Sequence, residues 1–127
     1  MEGLFNESHR LLVKMLDDFV EHEVKPLAQQ LDAEEMFPVD TVKKLGKLGL
    51  LGLPFPRALG GAGGDEVAYA LLIRKLSEAC ATTGVIVSAH TSLCAWPIYA
   101  YGTDEQRERY LRPLLEGKKL GAFALTE

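Results

Sequence analysis

The sequence predicts an all-α fold, a helical bundle of about five helices, with the start of a β-strand at its C-terminus. Three observations predict it. Apolar residues recur every three or four positions through most of the chain, the period of a half-buried helix. Glycine and proline interrupt those runs at Gly49, through 50–64, at Gly102 and at Gly117. From Leu120 the pattern changes to LGAFALTE, a short apolar run bounded by a turn.

The first helix carries a stripe of Leu4, Leu11, Leu12, Met15, Leu16, Phe19, Val20, Val24, Leu27 and Leu31, with charged residues on the other face. Pro26 falls inside it, removes one backbone donor and is expected to kink it near 22–25. His9 and His22 read as solvated surface histidines, too isolated to be metal ligands. The second helix opens at Pro38, buries Val39, Val42, Leu45 and Leu48, shows Lys43, Lys44 and Lys47 to water, and ends at Gly49. The loop 50–64 has too many breakers for regular helix, yet Leu51, Leu53, Phe55 and Leu59 should hold it against the body. Its glycines complete no phosphate-binding pattern.

Asp65 is placed to cap a third helix, and a turn is expected at Thr82-Thr83-Gly84. The fourth helix then runs over about 85–101. Residues 79–103 contain no Lys, Arg, Asp or Glu, and His90 is their one imidazole. Such a run belongs inside the bundle. About 20 apolar residues would also cross a bilayer. Its threonines, serines, Pro97 and His90, and the lack of basic flanks, speak against membrane insertion. Thr103 and Gln106 form a capping box for the fifth helix, which Gly117 closes.

Length and composition bound the function. A chain of 127 residues suits one domain, and 47% hydrophobic with 25% charged residues is ordinary for a globular protein. A net charge of −4 argues against nucleic acid as a partner. Cys80 and Cys94 form no metal-binding pattern and read as reduced thiols. No signal peptide opens the chain, so the location expected is cytoplasmic, or the mitochondrial matrix in a eukaryote. No residue here reads as catalytic. Ser88 and Ser92 stand two positions from His90, which points them away from it on a helix. His90 itself reads as a satisfied core or domain-interface group. The residue pattern alone supports an all-helical bundle and a strand cut off from its sheet.

Three stretches together resemble the N-terminal domain of the acyl-CoA dehydrogenases: VKPLAQQLDAEEMFP (24–38), the loop and helix of 48–80, and AHTSLCAWPIYAYGTDEQRERYLRPLLEGKKLGAFALTE (89–127). The most specific parts are Ser92-Leu93 with Pro97-Ile98, the YGTDEQ turn and the closing AFALTE. The wording AHTSL is most similar to short-chain, butyryl-type members.

The resemblance implies an FAD flavoprotein, usually a homotetramer, that oxidises acyl-CoA to trans-2-enoyl-CoA. A carboxylate takes the α proton, the β hydride goes to flavin N5, and the electrons leave to an electron-transferring flavoprotein. The catalytic Glu of the family lies in a C-terminal bundle, outside these residues. The implied division is a helical domain over 1–119 and the first strand of a following β-domain over 120–127. Cofactor contacts are expected from Phe123, Ala124, Leu125, Thr126 and Glu127. The end of the acyl pocket is expected from Ile86, Ala89, His90 and Leu93, with plain core packing as the competing reading for each. One methylene is worth only about 1–3 kcal/mol of discrimination, so these residues do not fix the chain length. A non-catalytic helical module of the same fold, and an acyl-CoA oxidase, remain as alternatives.

Overall fold

The computed structural model describes residues 2–126. Glu127, one of the expected cofactor contacts, lies outside them. Five helices form the body: α1 over 7–33, α2 over Val39–Lys47, α3 over Glu66–Ala79, α4 over 81–101 and α5 over 104–115. Short 3-10 turns at Leu50–Gly52 and Arg57–Leu59 shape the loop between α2 and α3.

The long helices α1, α4 and α5 each hold one proline, and each opens into a π turn just before it. The π stretches are Val20–Val24 before Pro26, Ala89–Ala95 before Pro97 and Arg107–Leu111 before Pro113. In each, the amide preceding the proline donates to the carbonyl five residues back: Lys25 to Val20, Trp96 to Thr91, Arg112 to Arg107. A proline ring clashes with the carbonyl four residues back and offers it no donor. A wider turn relieves that clash without ending the helix.

The core follows the predicted stripes where two helices meet. Leu16, Phe19 and Val24 of α1 pack with Leu72, Leu76 and Val87, beneath Leu45, Leu50 and Leu51. A second cluster joins Phe55, Ala95, Leu111 and Leu115. The loop lies on the body as expected, with Leu51, Leu53 and Phe55 buried. Gly49 takes a left-handed φ of 76° and closes α2. Thr103 and Gln106 make both bonds of the predicted capping box.

Several expectations are corrected. The chain does not turn at Thr82-Thr83-Gly84; the break is one extended residue, Cys80, and α4 begins at Ala81. Gly84 is small for packing rather than turning, since a Cβ there would run into Ser77 of α3. Val39 and Leu48 are half exposed, so the buried stripe of α2 narrows to Thr41, Val42, Leu45 and Gly46. Leu4 and Leu11 are exposed as well. The uncharged helix α4 is not enclosed. Thr83, Val87, His90, Thr91 and Ala95 are buried, while Val85, Leu93, Trp96 and Tyr101 face outward. The neighbours of α4 are α3, α5 and the loop after α2, and they leave that outward face uncovered among the described residues. Residues 120–126 form no strand among the described residues, because a strand exists only through hydrogen bonds to a partner edge.

His9 is a further correction: it is 5% exposed rather than solvated. Asn6 caps α1 by accepting the His9 amide at 2.9 Å, and His9 Nδ1 accepts the Asn6 amide at 3.2 Å. The proton therefore sits on Nε2, which lies 2.8 Å from both carboxylate oxygens of Asp65. Asp65 in turn accepts the Ala68 amide at 2.8 Å and caps α3. One carboxylate thus ties the starts of α1 and α3. The Ala68 amide and the His9 ring hold the Asp65 carboxyl below its ordinary value of 3.8. His22, in contrast, is exposed as expected.

Two outcomes test these joints. Gly117 has a φ of 74°, and a Cβ there would strike the backbone of Gly46 in α2. Gly117→Ala is expected to cost about 3 kcal/mol, seen as a lower urea midpoint at unchanged m-value. The stability that Asp65 contributes is complete above its ordinary pKa and is lost as pH falls through its lower folded value. Melting temperatures between about pH 5 and pH 2 should therefore fall more steeply for wild type than for Asp65→Asn, which keeps a cap acceptor without the charge.

Candidate functional site

The side chains with chemistry to offer gather along α4 and the segment that leaves α5. Helix α4 packs on α3 through its small residues, so its buried face is fixed in rotation. That rotation sends His90 inward, where none of its surface is exposed. The ring lies between two backbone groups. Its Nε2 is 3.0 Å from the Leu51 carbonyl, and its Nδ1 is 2.9 Å from the Gly121 amide. A carbonyl only accepts and an amide N–H only donates, so Nε2 carries the proton, Nδ1 is bare and the imidazole is neutral. Burial pushes its pKa below 6.5, while the backbone groups of Leu51 and Leu114 pull the other way.

Gly121 reaches His90 because it has no side chain. A Cβ there would lie 2.5 Å from Cys94 Sγ and 2.7 Å from Cys94 Cβ. The segment is thus pressed against α4 at one point. Beyond that point the backbone groups of residues 122–126 make no hydrogen bond among the described residues. Phe123 is 52% exposed and Leu125 75%, and Ala124 and Thr126 are exposed too.

The four residues expected at the acyl pocket divide. Ile86 is half-buried and packs against the main core, and Ala89 is half-buried. Leu93 is 49% exposed on the outer face of α4. His90 is inside, with both nitrogens engaged. None of the four lines the groove between α3, α4 and the loop. That groove, about 330 Å³, is lined by Pro54, Phe55, Glu66, Tyr69, Thr91, Ser92 and Trp96. Tyr69 Oη and Ser92 Oγ hydrogen-bond across its edge at 2.7 Å. The Thr91 hydroxyl is buried and has no partner among the described residues.

Tyr99 meets Phe55 edge-on at 5.6 Å and Trp96 at 5.5 Å. The tie from His90 to Gly121 was not read from the sequence. Its one signal was a lone imidazole in an uncharged run. Cys80 and Cys94 are free thiols. No helix of the described residues is long and apolar enough to cross a membrane.

Comparison with known proteins fits this geometry. Residues 6–118 match the family described as acyl-CoA dehydrogenase, N-terminal domain. The short-chain specific acyl-CoA dehydrogenase of Clostridium acetobutylicum is 48% identical over 127 residues, which is 100% of this chain and 34% of that protein. The structure of butyryl-CoA dehydrogenase from Megasphaera elsdenii superposes with a TM-score of 0.91 at 36% identity, covering 97% of this chain and 33% of that one. The acyl-CoA dehydrogenase of Bacillus anthracis, solved in complex with FAD, gives a TM-score of 0.88 at 38% identity, covering 97% of this chain and 21% of that one. The chain spans about a third or less of the length of these relatives. Fold, matched residues and relatives agree: the chain belongs to the acyl-CoA dehydrogenase family and corresponds to its N-terminal helical domain.

Proposed function

We propose that this chain is the N-terminal part of an FAD-dependent acyl-CoA dehydrogenase of the short-chain type, with residues 1–119 as its helical domain and 120–127 entering a β-domain. The observation that carries the reading is the segment after Gly121. Its backbone donors and acceptors have no partner among the described residues, and Phe123 and Leu125 are exposed beside them. A flavin ring needs hydrogen bonds along its polar edge and apolar cover on its faces, so these residues fit it.

On this reading the backbone of Phe123, Ala124 and Leu125, the hydroxyl and amide of Thr126, and Glu127 hold the flavin. FAD supplies the acceptor for the hydride taken from the β carbon of the acyl-CoA. The residues of this chain orient the ring and exclude water from one side of it. The outward face of α4, with Leu93 beside Ala89, suits an acyl tail or the domain that encloses it. The partners are acyl-CoA, an electron-transferring flavoprotein and, for the assembled enzyme, three further copies of itself. The setting is the cytoplasm of a bacterium, or the mitochondrial matrix in a eukaryote.

The flavoprotein containing this chain is expected to purify yellow and to reduce an artificial electron acceptor when given butyryl-CoA. A colourless protein that cannot be reconstituted with FAD would falsify the assignment. Ala89→Phe is expected to shift the preference toward shorter acyl chains, read as kcat/KM across a straight-chain acyl-CoA series. An unchanged profile would show that Ala89 does not face the tail.

A further inference from the structure

We propose that His90 is the positioning residue for the flavin-facing segment, holding residues 121–126 on the bundle through the Gly121 amide while its other nitrogen is anchored on the Leu51 carbonyl. The inference rests on the reading that this segment meets the flavin. His90 is not a catalytic residue, since its ring is sealed inside the bundle with both nitrogens occupied.

The task at this site is to accept one hydrogen bond and donate another across a short, rigid span. A neutral imidazole does both from a flat ring. Lysine and arginine only donate, and an ionised carboxylate only accepts. Leucine or phenylalanine would fill the space but leave the Leu51 carbonyl and the Gly121 amide unpaired in the interior.

Both partners of His90 are main-chain groups, so the ring fixes backbone to backbone: the loop after α2 to the segment after α5. The join is also tight, because Gly121 abuts Cys94 with no room for a side chain. Gly121 is the last residue of the segment with a hydrogen bond among the described residues. Every group offered to the flavin lies beyond it. An extended chain advances about 3.3 Å per residue, so Thr126 stands up to about 16 Å from this pivot. A small rotation at Gly121 therefore displaces Phe123 to Thr126 by ångströms.

The test has two arms. In the first, this chain is labelled with ¹⁵N. A through-hydrogen-bond coupling between His90 Nδ1 and the Gly121 amide is expected in wild type, which needs no variant. Hydrogen exchange at Gly121 should quicken by about tenfold in His90→Phe and recover in part in His90→Gln, which keeps one donor and one acceptor. In the second arm the flavoprotein containing this chain carries the same substitutions. FAD affinity should fall about tenfold in His90→Phe, with an altered visible circular dichroism of the flavin, and His90→Gln should lie between.

No coupling and equal Gly121 exchange in all three proteins would overturn the bond, whatever the flavin does. Lost protection at Gly121 with unchanged FAD affinity and flavin spectrum would overturn the positioning role. A wild-type protein that shows the coupling but takes up no FAD would overturn the flavin reading, and this inference with it.

Discussion

One neutral ring joins the three parts of this domain that matter for its outer surface. His90 sits on α4, donates to the loop at Leu51 and accepts from the exit segment at Gly121. The bundle can hold such a ring because burial favours its uncharged form. The same burial makes the two bonds costly to lose, since water is not at hand to replace them. The placement of His90 depends in turn on the seating of α4 against α3, where Gly84 lets the two backbones come close.

Small residues and prolines set the remaining geometry. Gly46 and Gly117 let α2 touch the turn after α5, and a Cβ at Gly52 would lie 2.6 Å from the Leu115 carbonyl. These contacts draw α5 onto the loop and so aim the segment that follows it. The three proline-linked π turns keep long helices continuous while shifting the face they present. In α4 that shift falls across Ala89–Ala95, the stretch holding His90 and Leu93. A straight α-helix would not send the same residues inward.

The surface left uncovered has a consistent chemistry. The outward side of α4 carries no charge and exposes Val85, Leu93 and Trp96, and residues 122–126 offer backbone groups with no partner among the described residues. An exposed apolar patch of this kind marks an interface or a ligand site rather than a wet surface. The relatives from Clostridium acetobutylicum and Megasphaera elsdenii are about three times longer, and on the proposed function the remainder of such an enzyme covers the patch.

The five helices were legible because their signals are local. The period of Leu16, Phe19 and Val24, the capping box of Thr103 and Gln106, and the stop at Gly49 depend only on near neighbours in the chain. The AFALTE ending and the SL/PI spacing carried the family, though they described no geometry. What the sequence could not convey were relations between distant positions. His9 looked like a surface residue until Asp65, 56 positions away, came beside it. The bare Nδ1 of His90 became meaningful only with Gly121 placed 31 positions on. Gly84 reads as a turn residue in one dimension and as a packing contact in three. A residue's own chemistry is written in the chain, but its partner is chosen by folding, which alone brings remote backbone groups within hydrogen-bond reach.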